Sequence, residues 1–184
     1  MQSEKIEAAE KSTNSLSMNS GMSESVGITG TYVVECFGPD GQIKWSEDIK
    51  NIVVTVGKND LLDKYFAGSA YTAAWYMGLV DGASTPTYAL ADTMSSHAGW
   101  SESTAYSNST RPAISWNSAS AGSKASTSTS FSINATATII GAFVVTNSTK
   151  GGTTGVLYSA GSFSAGSRSV LSGDTLNVTY TASV

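Results

Sequence analysis

Charge is the scarcest commodity in this sequence. Asp, Glu, Lys and Arg together make up 13% of its 184 residues, about half the share of an ordinary soluble domain. A cytosolic enzyme normally keeps itself soluble with a charged surface, so so few charges favour a surface that meets other protein or belongs to an extended β-rich assembly. The net charge is −4, and Arg111, Lys124, Lys150 and Arg168 are scattered singly through the second half. Nucleic-acid binding needs clustered cations to displace counterions, so no nucleic-acid partner is expected. Cysteine occurs once, at Cys36, which excludes an intrachain disulfide or a cysteine-built zinc site. Cys36 reads as a small buried hydrophobe in a strand.

Histidine also occurs once, at His97. Acyl-transfer catalysis needs a nucleophile, a base and an orienting group. Serine is too abundant for Ser95 and Ser96 beside His97 to mean anything, and no G-x-S-x-G elbow is present. Gly57-Lys58 and Lys150–Gly155 lack the frame of a phosphate-binding loop. Asp60 and Asp63 are explained by a helix N-terminus. Asp81, Asp92, Glu102 and Asp174 are too dispersed for a calcium loop, and nothing singles out a pair of them for glycoside hydrolysis. Asn108, Asn134, Asn147 and Asn177 fit N-x-[ST], a chance match in so Ser/Thr-rich a chain. The chain is therefore read as no enzyme, with no catalytic, cofactor-binding or metal-binding residue assigned. Trp75, Trp100, Trp116 and Tyr106 are candidates for a sugar platform, although strand positions make Trp75 and Trp116 better core residues.

Long apolar runs are missing as well. Nothing approaches the roughly 18 apolar residues that span a bilayer, so no membrane partner is expected. The N-terminal stretch MQSEKIEAAEKSTNSLSMNS has no continuous apolar core of the kind a secretory signal carries. Synthesis in a cytoplasm is the expectation, for a protein whose composition is that of extracellular β-proteins.

What the sequence does contain is strand signal. Residues 1–26 are polar and show no sustained period of 2; they are expected to form an arm that lies along a partner. Thr31–Phe37 is β-branched and aromatic. Gly38-Pro-Asp-Gly41 is a turn, and Gln42–Glu47 alternates, with Ile43 and Trp45 on one face, completing a hairpin. Ile52–Val56 reads as a third strand. One helix follows over Asp60–Phe66, capped by Asn59 and Gly68, with Leu61, Leu62, Tyr65 and Phe66 as its apolar stripe. Thr72–Val80 reads as a central strand buried on both faces. Asp81–Thr110 is a long loop with a short helical turn near Ala91–His97. So long a loop suggests function, here as a contact surface.

Beyond it, Ala113–Trp116, Thr127–Ala137, Thr138–Val145, Gly155–Ala160 and Phe163–Leu171 read as strands. A phase change beside Gly141 suggests a bulge or break. The final run alternates, with Leu176, Val178, Tyr180, Ala182 and Val184 opposite Thr175, Asn177, Thr179, Thr181 and Ser183, so it has one buried and one hydroxyl-rich face. As an exposed strand it would invite pairing between copies into a dimer or trimer. The pattern predicts an all-β fold, a β-sandwich of jelly-roll or immunoglobulin-like type with one short helix. Residues 1–28 would be an extended polar N-terminal arm, and residues 29–184 the sandwich domain.

Several runs carry a resemblance. Tyr32–Phe37, Gly41–Trp45, Lys50–Asn59, Asp63–Phe66, Tyr71–Leu79, Ser95–Arg111 with its His-Ala-Gly-Trp, and the ending Ser172–Val184 resemble small structural proteins of tailed bacteriophages. The resemblance covers residues 30–184. It implies a virion protein made in the host bacterial cytoplasm and released by lysis, which reconciles its composition with its first residues. Of the placements it allows, a capsid decoration or cement protein on the capsid exterior, bound to the major capsid protein, suits a sandwich with an arm. A tail or fibre component is the alternative, although the repeats and heptads of fibres are missing. A host-surface carbohydrate-binding module is another.

Overall fold

A computed structural model describes residues 27–66 and 74–184. The expected arm lies outside the described residues except for Gly27 and Ile28. So do Gly68, expected to cap the helix, and Thr72 and Ala73, expected to open the central strand.

The described chain is two antiparallel sheets and one helix, an all-β sandwich. The first sheet begins with β1 (Thr29–Phe37) and β2 (Ile43–Lys50), joined by the expected Gly38–Gly41 turn. Its other members are β6 (Ser123–Ala125), β7 (Thr129–Ser132) and β11 (Thr175–Ser183), in the order β2-β1-β11-β6, with β7 also on β11. The second sheet comprises β3 (Ile52–Val53), β4 (Tyr76–Asp81), β5 (Glu102–Ser103), β8 (Ala137–Val145), β9 (Leu157–Ser162) and β10 (Arg168–Val170). Its order is β3-β9-β8-β4-β5, with β10 paired to the start of β8.

Alternation decides the first sheet. β1 buries Tyr32, Val34 and Cys36, and β11 buries Leu176, Val178 and Tyr180. The opposite face of β11 carries Thr175, Asn177, Thr179 and Thr181, as its alternation predicts. β11 is not a free strand, however. It pairs with β1 from Thr175 to Ser183 on one side and with β7 and then β6 on the other. The edge pairing expected of it is closed off, because both rows of its backbone groups are used within the sheet. In β2 the inward positions are Trp45, Glu47 and Ile49, while Ile43 is exposed. Buried Glu47 is held by the guanidinium of Arg168.

The second sheet is buried on both faces. One face packs on the first sheet: Met77, Leu79, Ile139, Ala142 and Val144 share a core with Tyr32, Val34, Ile49 and Tyr180. The other carries a second cluster of Val80, Ile140, Phe143, Val145 and Leu157, closed over by Val54, Met94 and Trp100. Met94 and Trp100 come from the long loop, which therefore covers the outer face of the sheet. Its expected helical turn is a tight turn instead, with Thr93 and Ser96 exchanging main-chain hydrogen bonds of 3.0 and 3.2 Å. The bulge expected near Gly141 is present: Val80 faces Gly141 but Asp81 faces Ile139, leaving Ile140 extra. Gly141 itself is required by close approach, since a Cβ there would lie 1.9 Å from the carbonyl oxygen of Gly161. The expected strand Ala113–Trp116 is reduced to isolated bridges from Ala113 to Tyr76 and from Trp116 to Ser126.

The helix differs most from expectation. α1 runs Thr55–Phe66, so it takes up the end of the expected third strand and places Asn59 and Asp60 in mid-helix rather than at its cap. The reason is Gly57. It is the buried residue of the helix, and a Cβ there would lie 2.7 Å from the carbonyl oxygen of Tyr158. The missing side chain lets the first turn of α1 sit directly on β9. Asp60 instead pairs with Lys64 one turn on.

Candidate docking surface

The stripe of α1 that the sequence marks for burial faces outward. Leu61 and Leu62 are 36% and 46% exposed, and Tyr65 and Phe66 are 80% and 77% exposed. Gly57 in the first turn of α1 is buried against β9, while the second half of the helix carries this exposed apolar face. Tyr65 and Phe66 pack edge to face, ring centroids 4.9 Å apart.

Leu61 also forms one wall of a cleft of about 240 Å³ where the two sheets part. Trp75 and Tyr158 reach it from the second sheet, Lys124 and Ala182 from the first, and Trp116 from the segment beside β6. Trp75 stands edge-on to Tyr158 at 5.5 Å and Trp116 edge-on to Tyr180 at 6.2 Å. Both tryptophans pack against the shared core with one side and open to the cleft with the other. They thus pack partly buried on the core and also wall the cleft, Trp75 just before β4 and Trp116 at an isolated bridge. Burial holds the Tyr158 and Tyr180 phenols well above their ordinary pKa, so both rings stay neutral. The cleft is an apolar, aromatic slot with one cation on its rim, Lys124, whose Nζ donates to the Asn117 carbonyl at 2.8 Å. It suits apolar side chains.

The other residues singled out from sequence hold the fold together. His97 stacks on Trp100 at 4.0 Å and donates from Nδ1 to the Trp100 carbonyl at 3.0 Å. Asp92 accepts from Trp100 Nε1 at 3.2 Å and from the Ala89 amide at 3.1 Å. Asp81 closes a turn onto the Ala83 amide. Trp100 is buried beneath the loop, and Tyr106 is fully buried, so neither offers a ring to a sugar.

Glu102 lies at the centre of a knot. Arg111, with no exposure, donates to both its carboxylate oxygens at 3.0 and 2.7 Å, and also to the carbonyls of Asn147 and Gly152. The Gly151 amide and the Tyr106 hydroxyl complete the set on Glu102. Nearby, Lys150 donates to the carbonyls of Tyr106 and Asn108 and lies 4.5 Å from the Tyr106 ring centroid. This knot ties the end of the long loop to the glycine-rich turn before β9.

A second cluster forms across the first sheet, from residues that no spacing in the sequence connects. Asp174, 1% exposed, accepts from Lys44 Nζ at 2.6 Å and from the Leu171 amide at 2.9 Å, with Cys36 Sγ at 3.8 Å. Burial raises the Asp174 carboxyl's pKa, but the hydrogen bonds from Lys44 and Leu171 outweigh it and leave the net pKa lowered. Burial, and then the neighbouring carboxylate, push the Cys36 thiol up to about 11. Cys36 is therefore the buried hydrophobe its strand position suggests, not a reactive thiolate.

Among the described residues no three His, Cys, Asp or Glu side chains come together as metal ligands would, and no helix is long and apolar enough to cross a membrane. No family model matches the chain, and neither does any curated protein.

Proposed function

We propose that this protein is a structural component of a tailed-phage virion, a decoration or cement protein that binds the outside of the capsid and stabilises contacts between major capsid protein subunits. The observation that carries the reading is the projecting half of α1, which presents Leu61, Leu62, Tyr65 and Phe66 at the surface of a chain with few charges. An exposed apolar patch of this kind on a rigid scaffold marks a protein-binding surface, and aromatic anchors supply most of the energy in such contacts. The sandwich behind it is held by buried ion pairs and a core on both faces of one sheet, which suits a staple that must keep its shape. Many copies on one shell add avidity without any chemistry. The resemblance of residues 30–184 to small phage structural proteins supplies the identity of the shell.

The test is quantitative gel analysis of purified particles from a phage that encodes the chain. On the order of hundreds of copies, co-purifying with DNA-filled heads, is expected of a protein bound all over a shell; a handful of copies would assign it to the tail. Full-length protein carrying Tyr65→Ser and Phe66→Ser is expected to lose binding to heads while keeping its melting behaviour. Retained binding would remove α1 from the interface. Binding to a glycan array, but not to heads, would favour a host-attachment module.

A further inference from the structure

The aromatic cleft lies beside Ala182, near the end of β11. An opening of about 500 Å³ lies at the start of that strand, between the Gly38–Gln42 turn and the Leu171–Asp174 turn. Main-chain hydrogen bonds hold both turns. The Gly38 amide donates to the Gln42 carbonyl at 2.8 Å, and the Asp174 amide to the Leu171 carbonyl at 3.0 Å. The Asp174 carbonyl in turn accepts from the Ile133 amide at 2.8 Å. Its carboxylate is fixed as firmly, because Lys44 Nζ and the Leu171 amide both donate to Oδ2. The other oxygen, Oδ1, is buried and accepts no hydrogen bond among the described residues. A carboxylate oxygen withdrawn from water is costly unless a donor meets it, and Asp174 is one of the residues that line the opening.

The surroundings say which donor. Asp40, on the facing turn, accepts from the Gln42 amide at 3.0 Å and folds back over Gly38, where an added Cβ would meet its Oδ1 at 2.7 Å. The lining residues therefore carry two carboxylates, Asp40 and Asp174, against one ammonium, Lys44, an excess of one negative charge. Lys44 already offsets one oxygen of Asp174, which leaves a place for a singly charged donor rather than a multivalent ion. Pro39 and half-exposed Leu171 add apolar surface beside these charges. We propose that this opening is a second docking site, which takes one lysine side chain of a partner protein, its ammonium donating to Asp174 Oδ1 beside Asp40 and its methylene stem lying along Leu171 and Pro39. Such a stem packs on apolar surface while its head reaches polar groups. An ammonium has three diverging donors and can meet one oxygen from each of two carboxylates, whereas the planar arginine fork is matched to both oxygens of one. The site rests on neither the α1 surface nor the phage reading.

The experiment titrates the full-length, isotope-labelled chain with the capped tripeptide acetyl-Gly-Lys-Gly-amide and follows the amide resonances of Gly38, Gly41, Ser172 and Gly173. Saturable shifts are expected there, with a dissociation constant on the order of millimolar for a fragment of this size. The same tripeptide with norleucine, which keeps the stem and lacks the ammonium, is expected to give none. Asp40→Asn keeps the oxygen that accepts from Gln42 and removes one exposed charge, so binding should weaken about two- to fivefold. Asp174→Asn removes the buried charge and should weaken it by about tenfold or more; its own spectrum reports whether the sandwich is folded, and Asp40→Asn carries the test if it is not. Equal shifts with the norleucine peptide, or native affinity in both variants, overturn the proposal. The absence of any saturable shift at these amides overturns it too and leaves Asp174 Oδ1 to water alone. Saturation of the same amides by calcium chloride at lower concentration than the lysine peptide would assign the opening to a metal ion, which is likewise incompatible with it.

Discussion

Arg111 carries a charge into a site with no solvent exposure, and every one of its contacts exists to make that tolerable. Its partner Glu102 lies nine residues earlier on β5, with Gly152 and Asn147 supplying carbonyls from a different turn. Arg111→Leu would leave Glu102 with an uncompensated buried charge, and is expected to cost about 3–5 kcal/mol in urea denaturation. Replacing both partners, Arg111→Leu with Glu102→Leu, is expected to recover part of that loss, since the stranded charge accounts for much of it. Asp174 makes a pH-dependent contribution. Its carboxyl pKa is lower in the fold than in the unfolded chain. The stability it adds is therefore present above the ordinary carboxylate value of about 4 and is lost as pH falls through the lowered one. The melting temperature is expected to fall more steeply below pH 4 in the native protein than in Asp174→Asn, which lacks that titration.

At the scale of elements, the strands were legible because their alternation survives into the structure. β11 buries Leu176, Val178 and Tyr180 in the phase its sequence sets, and the glycine-marked turns before β9 and before β11 stand where Gly151, Gly155 and Gly173 adopt positive φ. The helix was only half legible. Gly57 looks like a break before a helix, yet tertiary contact makes it an interior residue, chosen for absent bulk. Gly57→Ala is expected to destabilise by about 1–3 kcal/mol by overpacking, despite alanine's better helix propensity, and a melting curve would show it. The packing of the long loop was not legible because it has no period. Its role was nonetheless implied by the apolar runs of β4 and β8, since a sheet apolar on both faces needs a second covering layer. Trp100→Ala is expected to cost about 3–5 kcal/mol, as for a core aromatic; a value near zero would mean that the loop does not pack. The candidate surface was illegible for a different reason. Leu61, Trp75, Trp116 and Tyr158 are far apart in sequence, and only the partial separation of the sheets leaves their edges open.

At the scale of the whole molecule, the two sheets share one core, and the second cluster lies on strands that also contribute to the first. Neither sheet has an apolar face that could remain folded without the other. Heat or denaturant is expected to produce a single transition with coincident fluorescence and circular dichroism midpoints. Two separated midpoints would divide the loop-covered layer from the sandwich.

The pairing of β1 with β11 also sets the timing of this protein's synthesis. Phe37 meets Thr175 and Thr29 meets Ser183, so the central strand of the first sheet is the last of the described strands to leave the ribosome. At about 5–20 residues per second, β1 and β2 wait on the order of ten seconds for the neighbour that completes their sheet. During that wait Tyr32, Val34 and Cys36 have no opposite wall, and one row of backbone groups on β1 stands open to other nascent chains. Yield in the cell should therefore rise when a chaperone that binds unfinished chains is co-expressed, because it shelters the hairpin during that wait.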